Sequence, residues 1–198
     1  MKRPGPATVL PVLTVALLSA CAATPGPVSE KLDPDTATTV TTLSRPIELF
    51  AQDLRSEETD RFAYLAPFET NRMGERALYL WVSAPAPAPG TATAATAAEP
   101  VGEPQVMCNG SPIELQPVSA GEGPPQKAGL AQLSLSHPPY EAPVPWSPQW
   151  YFKLQPEALK CLAEAKDISL QTHPADGDGK RFATDRRNLA SLDAFSRR

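Results

Sequence analysis

The sequence predicts a mainly β fold, an antiparallel β-sandwich-like or α+β domain with two short helices near the C-terminus, built from residues 45–198. Three observations predict it. Apolar and polar residues alternate over short runs, the period of a strand with one buried face. Turn-formers separate the runs: 24 prolines and 11 glycines stand among 198 residues, and proline excludes long helix interiors and central parallel strands. Hydrophobic residues at 41% against 20% charged supply a packed core and exclude wholesale disorder.

The elements follow in order. Ile47, Leu49 and Ala51 alternate with Glu48, Phe50 and Gln52 as a strand. Phe62, Tyr64, Ala66 and Phe68 alternate next, with Pro67 marking an edge or a strand end. Asn71-Arg72-Met73-Gly74 turns the chain into Ala77–Val82, so residues 62–68 and 77–83 are expected to pair as a hairpin. Residues 83–100 are a low-complexity Ala/Pro/Thr stretch that cannot bury a core face and is expected to form a loop of polyproline character. Val106-Met107-Cys108 leads into Asn109-Gly110, whose residues tolerate the positive φ of a type I′ hairpin turn, with Ile113, Leu115 and Val118 continuing beyond it. Leu133 and Leu135 alternate with serines, and Trp150–Leu154 reads as an aromatic strand.

One helix is well marked. Pro156 suits the first helical position, Glu157 the positive end of the dipole, and Ala158, Cys161, Leu162 and Ala165 share a face. Ile168, Leu170 and Thr172 then alternate as a strand, and Ala175–Gly179 turns into Arg181-Phe182-Ala183. A terminal helix from about Asp185 carries Leu189, Leu192 and Phe195. Arg186 and Arg187 sit at its unfavourable electrostatic end, so docking must stabilise it.

The N-terminus reads as an address. Lys2 and Arg3 precede a mostly apolar run from Val9 to Ala20. That run is too short for a membrane span, which needs about 20 residues, and has the size of a secretory signal's apolar region. It ends Leu17-Leu18-Ser19-Ala20-Cys21, which resembles the lipobox of bacterial lipoprotein precursors. The resemblance implies that residues 1–20 are a removed signal peptide and that Cys21 is diacylated and N-acylated, palmitate being a typical chain. Ala22 in place of aspartate implies sorting to the outer membrane, with the domain on its periplasmic face. Residues 21–44, rich in Ala, Thr, Pro and Ser, are expected to form a flexible tether reaching up to roughly 60 Å if extended. Removing Lys2 and Arg3 makes a chain of formal net charge −4 more acidic still.

That charge argues against nucleic acid as a partner. With Cys21 lipidated, Cys108 and Cys161 remain, and an oxidising periplasm favours a disulfide between them. Closing that loop stabilises a fold by about 4 kcal/mol in the chain-entropy view. A Cys-x-x-Cys motif is absent. Asp176-Gly177-Asp178-Gly179 resembles the start of a calcium loop, but its twelfth position is Arg187, where a bidentate acid is required. His137 and His173 each precede proline and have no second ligand at metal-binding spacing, so no metal and no cofactor is expected. Glu57, Glu58 and Asp60 read as a solvated acidic turn; there is no Gly-x-Ser-x-Gly elbow, phosphate loop or dinucleotide fingerprint.

Trp146, Trp150 and Tyr151, set among prolines, could form a rigid apolar ledge that grips a glycan or peptide, or could cover one end of the core. The expected function is a membrane-anchored, non-catalytic binding or envelope-assembly module whose partner is an envelope protein or polymer. The alternatives are a hydrolase of an envelope polymer, using acids near Asp60 or the His137 loop, and a small-ligand carrier.

Overall fold

The computed structural model describes residues 26–52, 61–85, 102–120, 130–143, 147–172, 179–184 and 189–198. Its strands are β1 (Val28–Asp33), β2 (Thr38–Leu43), β3 (Ile47–Ala51), β4 (Phe62–Arg72), β5 (Glu75–Ser83), β6 (Gln105–Cys108), β7 (Ser111–Pro112), β8 (Gln116–Ala120), β9 (Ala131–Leu133), β10 (Gln149–Lys153), β11 (Ile168–Gln171) and β12 (Arg181–Thr184). The helices are α1 (Pro156–Glu164) and α2 (Ala190–Ser196). The class is mainly β, as the alternation predicts. The twelve strands of the described residues belong to one sheet in the order β7-β6-β11-β12-β3-β4-β5-β10-β8-β9, with β2 also beside β4 and β1 outside β2. Only β8 and β9 run parallel; the other neighbours are antiparallel.

The β4–β5 hairpin extends well past the expected seven-residue arms, because Met73 (φ 52°) and Gly74 (φ 94°) close it tightly and Asn71 Oδ1 accepts the Gly74 N–H at 3.0 Å. One edge of β4 serves two partners: β3 pairs with Phe62–Leu65, and β2 pairs with Phe68–Arg72. Pro67 falls at the exchange. Its nitrogen carries no hydrogen, so no ladder donor is orphaned there. The Tyr140 hydroxyl bridges the gap, donating to Pro67 O at 2.9 Å and accepting from Leu43 N–H at 2.7 Å. Pro67 therefore marks where one partner strand replaces another, and β4 itself runs through it.

The expected tether over 21–44 is corrected by β1 and β2, which take up half of its residues. β2 lies between β1 and β4, and Thr38, Val40, Thr41 and Leu43 are all buried. Threonine holds core positions here. Its β-branched side chain fits a pleated strand, while a scan for apolar periodicity passes over it. A second difference lies beyond Asn109-Gly110 (φ 50° and 80°). The hairpin's return strand is only β7, and β8 crosses to pair with β10 at the other side of the sheet.

Residues directly opposite one another share a sheet face. On one face lie Val106 and Leu170, Cys108 and Ile168, Leu49 and Ala63, and Leu80 and Phe152, all buried. The helices cover it. α1 begins with Pro156 at its first turn, carries Glu157 at the positive end of its dipole, and buries Ala158, Leu159 and Leu162. Cys161 is joined to Cys108 in a disulfide, with Cα atoms 6.4 Å apart, which fastens α1 to β6. Beside it, Asn109 Oδ1 accepts the N–H groups of Lys166 and Asp167 at 2.8 and 3.3 Å, tying the hairpin turn to the end of α1. α2 begins at Ala190, a shorter helix than one from Asp185, and residues 185–188 lie outside the described residues. Arg186 and Arg187 therefore do not open α2, whose first turn carries Asp193, an acid suited to the positive end of the dipole. Docking holds it nonetheless: Leu189, Leu192 and Phe195 are buried, and the helix touches α1, β1 and β2.

The opposite face of β4, β5 and β10 holds an aromatic cluster under the 130–143 segment. Phe68 stacks on Tyr79 at 5.2 Å and meets Tyr140 and Tyr151 edge-on at 6.5 and 6.3 Å; Trp81 lies 5.1 Å from Tyr140. Such pairs contribute about 0.5–1.5 kcal/mol each beyond the area they bury. Burial pushes the Tyr151 phenol up to about 12 and raises Tyr140 further. Both phenols stay neutral in the folded protein well above their ordinary range.

Candidate functional cleft

Between the helices and the near end of the sheet lies a cleft of about 820 Å³. Four stretches distant in sequence build it: β1 and β2, the β4–β5 hairpin, α1, and α2 with the residues that follow it. Leu78, Leu159 and Phe195 supply its apolar lining. Thr41, Glu69 and Leu78 reach it because they share the helix-covered face, Glu69 standing opposite both Thr41 and Leu78.

Its charges balance. Glu30, Glu69, Glu164 and Asp193 are matched by Arg76, Lys160, Arg197 and Arg198. Arg197 Nε and Nη2 both reach the Asp193 carboxylate at 2.8 Å, Arg198 Nη2 lies 3.4 Å from Glu30 Oε2, and Arg76 Nε lies 3.7 Å from Glu69 Oε1. These side chains are largely exposed: Arg197 at 75%, Arg76 at 63% and Arg198 at 48%. Ion pairs in such settings contribute about 0–1 kcal/mol, so an incoming charge of either sign can replace one member of a pair at small cost. Lys160 and Glu164, one turn apart on α1, form no ion pair among the described residues. Small-molecule sites are lined mainly by apolar and aromatic side chains. A cleft rimmed by four acids and four bases suits a polar partner carrying both signs.

The residues singled out from sequence are distributed otherwise. Trp150 stands opposite Val82 and Tyr151 opposite Trp81, so these successive residues project to opposite faces of β10. Tyr151 belongs to the aromatic cluster and Trp150 is half-buried against the core on the helix-covered side. The structure does not bring the two onto one surface, and Trp146 lies outside the described residues. So do Cys21, Glu57, Glu58, Asp60, His173, Asp176 to Asp178, and the Ala/Pro/Thr stretch beyond Pro85. Gly179 is described: a Cβ there would stand 2.1 Å from Thr172 O, so the approach of the two chain segments requires glycine.

His137 is exposed, its Nδ1 2.9 Å from Ser136 Oγ. The serine hydroxyl in turn donates to Asp33 Oδ1 at 2.6 Å, and the Ser136 N–H donates to Asp33 Oδ2 at 2.8 Å. In hydrolytic triads the imidazole stands between serine and carboxylate and takes the serine proton. Here the serine stands in the middle and gives its hydrogen to the aspartate. The Ser136 hydrogen bonds hold the Asp33 carboxyl far below the ordinary carboxylate range, which makes it a poor base. The trio fastens the β1–β2 turn to the segment across the aromatic face.

Among the described residues no group of three or more His, Cys, Asp or Glu side chains could hold a metal ion, and no helix is long and apolar enough to cross a membrane. No protein-family model matches the chain, and neither does any curated protein or solved structure. The cleft residues carry no sequence signal. Glu30, Arg76, Lys160 and Arg198 are single charges in four distant segments, brought together only by the sheet order and helix docking.

Proposed function

We propose that this chain is a lipid-anchored protein of the bacterial periplasm, attached through Cys21, whose cleft between helices and sheet holds a partner without chemical turnover. The cleft is the observation that carries the binding half: eight ionisable side chains of zero net formal charge around a small apolar lining, most of them exposed and weakly paired. The run Leu18-Ser19-Ala20-Cys21 supports the anchoring half, and the Cys108–Cys161 disulfide agrees with an oxidising compartment. The described histidine, His137, sits in a hydrogen-bonded order that fastens a loop and does not activate its serine.

The test is site-specific photocrosslinking in intact host cells. A photoreactive residue at Lys160, on the cleft rim, is expected to give one discrete adduct. The same residue at exposed Gln105, on β6, gives none. Equal adducts from both positions, or none from Lys160, would overturn the binding reading.

A further inference from the structure

We infer that the cleft works at the surface of the membrane that anchors the chain, and that its partner is a segment of a protein seated in that same membrane. This rests on lipidation at Cys21, as proposed above, and on where the folded chain begins. The domain takes hold of the backbone almost at once. Gly26 O accepts the Ser44 hydroxyl, Pro27 O accepts the Ser44 N–H at 2.9 Å, and Val28 opens the β1–β2 ladder opposite Leu43. Five Cα steps separate Cys21 from Gly26. Whatever conformation they adopt, they reach at most about 18 Å.

That leash is short beside the domain. A folded unit of this size has a radius of gyration of about 15 Å, hence a diameter near 40 Å. The domain cannot swing free of the bilayer, and the side from which the chain emerges, carrying β1, stays towards it. Glu30 is four residues further along β1, about 13 Å in an extended strand. It forms the cleft rim with Arg198 of the α2 end. The rim therefore lies within about 30 Å of the lipidated residue. A partner that enters it must be presented at that height. The opposite charges of the cleft match a polypeptide segment of mixed charge, and a membrane-seated protein presents such segments there.

Two measurements test this, and each separates its failure from that of the anchor. The lipidated protein is incorporated into vesicles carrying acceptor-labelled headgroups, with a donor at exposed Ser29 of β1 or at Gln105 of β6. Energy transfer from position 29 is expected to exceed that from position 105 by at least twofold. A flexible insert of 30 Gly/Ser residues between Ala23 and Thr24, with a root-mean-square span of about 30 Å, should reduce it at least twofold. Equal transfer from the two positions, or transfer unchanged by the insert, overturns the inference. A protein that fails to stay with vesicles overturns the anchor instead. In cells, the adduct from Lys160 is made with a cleavable crosslinker and released. The freed partner is expected to remain in membranes through an alkaline wash, and a partner that washes out overturns the assignment.

Discussion

Replacing Tyr140 by phenylalanine removes one oxygen atom and tests how β4 exchanges its partners. The ring is 7% exposed, and its packing on Trp81 and Phe68 is retained by Phe. What is lost is the bridge that accepts Leu43 N–H at 2.7 Å and donates to Pro67 O at 2.9 Å. Leu43 is only 2% exposed, so water does not readily replace the acceptor. A buried donor or acceptor left without a partner costs about 1–3 kcal/mol. With two orphaned groups, and some relief from no longer burying a hydroxyl, the expected loss is about 2–4 kcal/mol. In a chain of this length each kcal/mol lowers Tm by roughly 2–4 °C. Urea unfolding of the folded domain should show a lower midpoint with an unchanged m-value, since the surface exposed on unfolding is the same. A loss below about 0.5 kcal/mol would refute the bridge between β2 and β4.

Replacing both Cys108 and Cys161 by alanine is expected to cost about 4 kcal/mol, from the closure entropy of a loop spanning 53 residues, read from urea midpoints under non-reducing conditions; a cost under about 1 kcal/mol would contradict it. Asp33→Asn should lower stability at neutral pH. Because the folded carboxyl lies below its ordinary value of 3.8, the wild-type advantage is fully present above about pH 4 and is lost as pH falls towards the folded value, so the two stability curves should converge in acid; a difference independent of pH would contradict the charged hydrogen bonds to Ser136. Asn109→Ala removes the acceptor for Lys166 and Asp167 N–H and puts a less tolerant residue at φ 50°, for an expected loss of about 1–2 kcal/mol by denaturant titration; an unchanged midpoint would refute it.

Much of the sheet was legible because its signals are local. Ile47 and Leu49 alternate with Glu48 and Phe50, and the structure buries the first pair and exposes the second. Asn109-Gly110 announces a turn by backbone tolerance alone, and Pro156 announces a helix start by its fixed φ. β2 is hidden because threonine fills its buried positions, and polarity patterns do not register a methyl that packs beside a hydroxyl; β1 is hidden because it is an exposed edge strand with no apolar alternation to detect. Pro67 suggests an edge or a strand end because a proline inside a strand normally removes a ladder bond. Here no bond was required at the exchange between β3 and β2.

The cleft was illegible for a different reason. Its charges acquire meaning only through long-range topology, with β1 and α2 some 160 residues apart in sequence yet joined by Glu30 and Arg198. Of Trp146, Trp150 and Tyr151, the last two do not share a ledge, since adjacent residues of a strand leave by opposite faces, and Trp146 lies outside the described residues. By contrast, the pairing of Cys108 with Cys161 follows from cysteine arithmetic and the expectation of an oxidising compartment, before any geometry places α1 against β6.

The anchor at Cys21 is measured directly by the intact mass of the protein purified from the membranes of its native host. The predicted result is a chain beginning at Cys21 and heavier than its sequence by a diacylglycerol and one further acyl group. A chain of unmodified mass, or one recovered free of membranes, would contradict it.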